Sequence, residues 1–138
     1  MFQSTIHRPL PTITEDTERF WAAAREGRME LQKCDRCGRF WYYPGPVCHY
    51  CGSIEYTWTP VSGEGEIYSF SRLERAKGNP YENDVPIAIV LVKLAEGPVM
   101  MSNLIDYEPD DLAIGKAVTV DYEVVTDEVT LPVFRPRG

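Results

Sequence analysis

Apolar and polar residues alternate most cleanly between Ala117 and Val125. Val118, Val120, Tyr122 and Val124 share one face there, and Thr119, Asp121 and Glu123 the other. A period of two predicts a half-buried strand. Val85 to Ala95 is apolar on both alternating faces and reads as a central strand. Glu66 to Arg75, Val99 to Asp106 after the Gly97-Pro98 turn, and Val129 to Phe134 are further strand-like runs. Glu108 to Ile114 reads as a turn or a single helical turn. Five short strands in succession predict a small closed barrel, and the OB fold is the common five-stranded form.

The first part of the chain follows a different rule. Residues 1–13, with Pro9 and Pro11, lack periodicity and read as an extended arm. Phe20, Trp21 and Ala24 then recur at helical spacing. Thr14 is placed as an N-cap, Glu15, Asp16 and Glu18 suit the positive end of the helix dipole, and Gly27 suits a stop. The spacing predicts a helix over 15–26. Phe20 and Trp21 either pack on the chain's own body or dock on a partner. Met29 to Lys33 and Ile54 to Trp58 are short strands that flank the only cysteines. The prediction is therefore an α+β, mostly β chain in three parts: an arm and helix over 1–28, a ribbon over 29–60, and a barrel over 61–138. Gly63 and Gly65 mark the turn into the barrel.

The ribbon carries the candidate chemistry. Cys34-Asp35-Arg36-Cys37-Gly38 and Cys48-His49-Tyr50-Cys51-Gly52 are two CxxCG knuckles, and they hold all four cysteines of the chain. Two residues between sulfurs let each pair converge, and the following Gly permits a turn with positive φ. Four thiolates at Cys34, Cys37, Cys48 and Cys51 suit a tetrahedral zinc or a single iron. Four protein ligands leave no open position for substrate, which makes the metal structural. Two disulfides are the other arrangement that four cysteines allow. The N-terminus lacks a basic start and an apolar run, so no signal peptide is expected. Reduced cytoplasmic thiols then favour a metal. Between the knuckles lie Phe40, Trp41, Tyr42 and Tyr43. Four successive aromatics cannot all point inward from so small a ribbon. Some are expected to cover the metal, and others to meet a partner.

Charge narrows the partners. The 138 residues carry a net charge of −7, and no apolar run is long enough for a membrane helix. Up to Pro60 seven Lys or Arg balance seven Asp or Glu; from Val61 onward seven face fourteen. An acidic barrel argues against a nucleic-acid backbone, although OB folds and zinc ribbons both serve as single-strand binders elsewhere. Catalytic constellations are missing. The cysteines are committed to metal, and the only histidines are His7 in the arm and His49 inside a knuckle. Asp110-Asp111 and Asp127-Glu128 read as solvated loop charge. An iron centre carrying electrons is the remaining alternative, and it predicts a coloured protein. The longest loop, Ala76 to Asp84, is a candidate binding element on the barrel rim.

Several stretches together resemble one family. They are Phe20-Trp21, Leu31-Gln32-Lys33-Cys34, Cys48 to Gly52, Gly63 to Phe70, Ile114-Gly115 before Val118, and Pro132 to Pro136. The chain is similar to the acyl-CoA-associated family, formerly a domain of unknown function, that joins a rubredoxin-like zinc ribbon to an OB fold. It departs from the pattern at Tyr42 to Pro46, where the family more often has a Pro-Pro-Arg-like run. The resemblance implies zinc at the four cysteines. It also implies a non-catalytic subunit bound to a thiolase-fold partner (thiolase, acyltransferase or retro-aldolase), with relatives joined to MaoC-like hydratases. The ligand of such a complex is an acyl-CoA thioester. Its phosphates need cations, for which Arg72, Arg75 and Lys77 are the first candidates and Arg135 and Arg137 the next. Phe20, Trp21, Phe40 and Trp41 are the expected partner interface.

Overall fold

The computed structural model describes residues 1–4, 9–75, 77–78 and 86–137. His7 and most of the Ala76 to Asp84 loop lie outside the described residues. Ten elements follow in order. A short strand β1 (Phe2–Gln3) precedes helix α1 (Glu18–Arg25). The ribbon strands are β2 (Met29–Cys34) and β3 (Tyr56–Val61). Next come β4 (Glu64–Leu73), β5 (Ile87–Leu94), β6 (Val99–Leu104), a 3-10 turn at Pro109–Asp111, β7 (Ala117–Val124) and β8 (Thr130–Pro136).

The barrel closes through five strands. β4, β5, β6, β8 and β7 neighbour one another in that order, and β7 returns to β4. The β6–β8 contact is parallel at Leu104 and Phe134, and the other barrel pairings are antiparallel. This is the predicted OB barrel. A bulge between Ile67 and Ser69 lets β4 coil around the barrel and throws Tyr68 outward, where it is 57% exposed. β1 pairs in parallel with β7, so the start of the arm is a sixth strand of the sheet, with Arg135 lying over the Phe2 ring. Two residues are too few to leave a periodic signal in sequence.

One core serves all three parts of the chain. Phe20, Trp21 and Ala24 of α1 and Met29 and Leu31 of β2 share a cluster with Val90, Val92, Val118, Tyr122 and Phe134 of the barrel. The helix packs against β2, β7 and β8. It begins later than Thr14 and is not capped there. Residues 15–17 form a turn in which Thr14 O accepts the N–H groups of Thr17 and Glu18, and Thr17 Oγ1 accepts the Thr14 N–H. Local hydrogen bonding by the threonines competes with helix here. No helix among the described residues is long and apolar enough to cross a membrane.

β2 is buried on both faces apart from Lys33, so it also encloses polar side chains. Glu30 is 8% exposed at its side chain and accepts from Arg19 Nε at 2.8 Å; Arg28 closes on its other oxygen. Burial pushes its carboxyl up, but the bonds from Arg19 and Arg28 outweigh this and hold it below the ordinary 4.5. A depressed carboxylate contributes stability above its unfolded value and loses it as the pH falls through the folded one. Both arginines are about half exposed, which screens the pair. Glu30→Gln is therefore expected to cost about 1–2 kcal/mol at neutral pH, between the surface and buried ranges. The deficit should shrink as the pH falls below the ordinary 4.5 and through the depressed folded value, a convergence read from urea unfolding at neutral and acid pH. A deficit independent of pH would remove the ion pair from the account.

Candidate functional site

The two knuckles are built alike. Gly38 N–H donates to Cys34 O at 2.9 Å, and Gly52 N–H to Cys48 O at 3.0 Å. Cys34 N–H donates to Arg39 O and Cys48 N–H to Ser53 O, each at 2.9 Å. Gly38 and Gly52 have φ of 78° and 75°, and a Cβ at either would meet nothing within 4 Å. The turn requires their backbone freedom, not their small size.

The repeat brings four sulfurs together. The ligand atoms of Cys34, Cys37, Cys48 and Cys51 all lie within 4.8 Å of one another. Cys34 and Cys51 sulfurs are 3.6 Å apart, and those of Cys37 and Cys48 3.7 Å. A tetrahedron with metal–sulfur bonds of about 2.3 Å has edges of about 3.8 Å, so the donor set fits zinc. A disulfide needs about 2.05 Å, and all four thiols are free. Backbone N–H groups of Cys37 and Tyr50 point at the sulfurs of Cys34 and Cys48, each at 3.4 Å. The Cys37 N–H brings the Cys34 thiol down to about 6, against the push of burial. At Cys37 the Arg39 N–H pulls downward too, but burial and hydrogen bonds with the other thiols push it up to about 11. Such a cluster favours thiolate at its inner sulfur before any cation arrives.

The aromatic run divides as its size demands. Trp41 is 1% exposed and joins Cys34 and Cys48 in a small second core, with Tyr56 packed on it and His49 tilted against its ring. Tyr42 and Tyr43 turn the other way and meet Phe20 edge-on; Trp21 Nε1 donates to Tyr43 Oη at 3.0 Å. These contacts fasten α1 to the ribbon. Phe20, Trp21 and Trp41 are thus packed inside this chain, at 4% exposure or less, and Phe40 is half-buried against the core. Of the rings expected at an interface, Phe20 and Trp21 join the main core and Trp41 the small ribbon core.

Gln32 was not singled out in the sequence. Its side chain is fully buried and pairs with the Gly45 peptide twice: Nε2 donates to Gly45 O at 2.8 Å, and Gly45 N–H donates to Oε1 at 3.0 Å. Its own carbonyl accepts the Trp41 N–H. One residue therefore holds the segment linking the knuckles at two points, Trp41 and Gly45. The only sequence signal is a polar residue inside a strand whose two faces are both covered.

The candidate cations separate into two groups. Arg135 is bound to Asp121 at 2.6 Å and also to Asp106, and Arg137 lies 3.1 Å from Glu64. Arg72 sits 3.0 Å from Glu74 on an exposed strand end, with exposed Arg75 and Lys77 beyond it. Asp111 is bound to Lys116 at 3.1 Å within a capped 3-10 turn, and Asp127 and Glu128 are exposed. Among the described residues the four cysteines are the one group of three or more His, Cys, Asp or Glu placed to hold a metal.

Known proteins share this arrangement. Residues 21–56 match the ChsH2 rubredoxin-like zinc ribbon domain, and residues 58–123 the ChsH2 C-terminal OB-fold domain. A probable enoyl-CoA hydratase alpha subunit of Thermomonospora curvata is 35% identical over 94% of this chain, which spans only 40% of that protein's length. A DUF35 domain-containing scaffold protein of Pyrococcus furiosus is 31% identical, over 80% of this chain and 78% of that one. The solved structure of an Ltp2-ChsH2(DUF35) aldolase superposes with a TM-score of 0.79 at 34% identity, covering 92% of this chain and 98% of that one. The chain belongs to the ChsH2/DUF35 family, in which a rubredoxin-like zinc ribbon precedes an OB-fold domain.

Proposed function

We propose that this chain is a non-catalytic subunit that binds and stabilises a thiolase-type partner acting on acyl-CoA thioesters. The observation that carries the reading is the closed site. The chain's four cysteines lie together, placed to hold one metal, and the described His49 is tilted against the Trp41 ring beside them. Nothing in that arrangement offers the free thiol and base that thiolysis or Claisen chemistry needs. The names of its relatives, a hydratase alpha subunit, a scaffold protein and the ChsH2 part of an aldolase, support assembly with a second chain. Bound zinc would supply structure: it ties β2, the knuckles and β3 into one ribbon through Cys34, Cys37, Cys48 and Cys51. The reducing cytoplasm is the compartment in which four such thiols stay available to it.

Arg72, Arg75 and Lys77 line the mouth through which the CoA end of the thioester passes. Arg75 and Lys77 carry the larger share, since Arg72 is already engaged by Glu74. Two assays test the reading. The isolated zinc-loaded chain should turn over no acyl-CoA thioester, and activity should appear only with the partner. In the complex, Arg72→Ala with Arg75→Ala should raise KM about 10-fold with kcat nearly unchanged, the signature of lost uniform binding. Turnover by the isolated chain would overturn the subunit reading; an unchanged KM would remove these arginines from the CoA mouth.

A further inference from the structure

The outer face of β4, β5 and β6 is apolar where an OB barrel of this acidity would be expected to carry charge. The register sets Ser69, Leu91 and Met101 side by side, then Ser71, Ile89 and Asn103, then Leu73 beside Ile87. Two depressions run along this face. One of about 430 Å³ is lined by Leu73, Ile87, Ile89, Met101 and Leu131 among others. The second, of about 200 Å³, lies beside Phe70 and Leu91 and shares Ile89 and Met101 with the first. Among the described residues, none that lines either depression is charged, in a chain where a quarter of residues are. Met101 is 65% exposed and Phe70 42%. An uncharged face with aliphatic residues along its centre gives a nucleic-acid backbone no cation to follow.

Among the described residues, charge lies at the two ends of this face. Immediately past Leu73 come Arg72's partner Glu74, then Arg75 and Lys77, both exposed. At the opposite end Glu66 and Lys93 face each other across the register and offset one another. Among the described residues the face is therefore an apolar patch with Arg75 and Lys77 at its edge. This complements a protein whose own surface is apolar and whose ligand is anionic at the same border.

We infer that the catalytic subunit docks on this outer face of β4, β5 and β6, with its CoA mouth opening at the Arg75–Lys77 margin. The inference rests on the subunit reading above and names the surface that reading leaves open, since Phe20, Trp21 and Trp41 are enclosed. Large apolar groups on such a patch exclude water on docking, and the central ones become hot spots.

The test uses the complex purified from native cells and reassembled from its separated chains. Ser71→Glu with Met101→Glu sets two carboxylates beside Ile89 and Leu91 at exposed positions that do not enter the core. Ile54→Glu on the ribbon, where Ile54 is 74% exposed, is the control. Thermal unfolding and zinc content confirm that each variant is folded. The face variant should weaken partner binding by about 30-fold or more, the size of a hot-spot loss, and the control by less than about 3-fold. Wild-type affinity in the face variant, or loss in the Ile54 variant alone, would overturn the surface while leaving the subunit reading intact. A wild-type chain that assembles with no partner takes both down. Salt-sensitive binding of oligothymidine by the wild type, lost in the face variant, would reassign the face to single-stranded nucleic acid.

Discussion

Cys34→Ser is expected to release the zinc and unravel the ribbon beyond β2 while leaving the barrel folded. Cys34 ends β2, is 1% exposed, and receives the Cys37 N–H at its sulfur. Apart from the metal, the two knuckles are held by a small core of Cys34, Trp41 and Cys48 with Tyr56 against it. That is far below what a unit of this size needs to fold without a staple. Structural zinc sites supply roughly 10–16 kcal/mol of apparent binding energy, and this energy is folding energy. A serine oxygen cannot replace the thiolate in a soft donor set. The barrel should survive, because Met29 and Leu31 remain in the main core. Hydrogen exchange would therefore show lost protection confined to residues between β2 and β3, and metal analysis would show zinc well below one per chain. Full zinc with wild-type exchange would contradict the structural role of the metal.

Gly65→Ala is expected to destabilise the barrel itself, by about 3 kcal/mol, the upper end of the cost of overpacking. A Cβ there would lie 2.6 Å from the Lys93 carbonyl oxygen and 2.8 Å from Val92 Cγ1. The carbonyl cannot step aside, because Gly65 pairs with Leu94 on β5 and with Val118 on β7 at the same point. Three strands meet there, and the absent side chain lets them approach. A drop of about 10 °C in the melting temperature, with zinc retained, is the expected readout. Gly38→Ala is the informative contrast. Its Cβ has open space, so only the cost of its positive φ, about 1–2 kcal/mol, should appear. A Gly65→Ala barrel as stable as wild type would mean that β4 and β5 can separate at this register without penalty.

These two sites also mark what could be read from the sequence. The knuckles were legible because metal ligation fixes residue type and spacing together, and Cys34, Cys37, Cys48 and Cys51 meet as their CxxCG repeats require. The barrel strands were legible because one face of each is buried, so their periodicity survives in the residues. Their ends were less so: β3 runs on through Pro60 to Val61, and β4 starts at Glu64 instead of Glu66. Pattern fails where both faces are covered. β2 hides Glu30 and Gln32, and these buried polar groups look like surface residues in sequence although one is clamped by arginines and the other by a peptide. The destination of the aromatics was equally hidden. Phe20, Trp21 and Trp41 have the composition of an interface, and only tertiary packing decides whether it lies within the chain or between chains. The apolar outer face runs across three strands, so no single stretch of sequence displays it.

The central claim is that this chain works as the zinc-bearing subunit of a catalytic complex. Native mass spectrometry of the chain, affinity-purified gently from its own cells, tests it most directly. The account predicts a particle heavier than the 15.7 kDa chain, containing one zinc per copy of it and a near-stoichiometric thiolase-fold protein identified from its peptides. A particle consisting of the 15.7 kDa chain alone, or of the chain with nucleic acid, would contradict it.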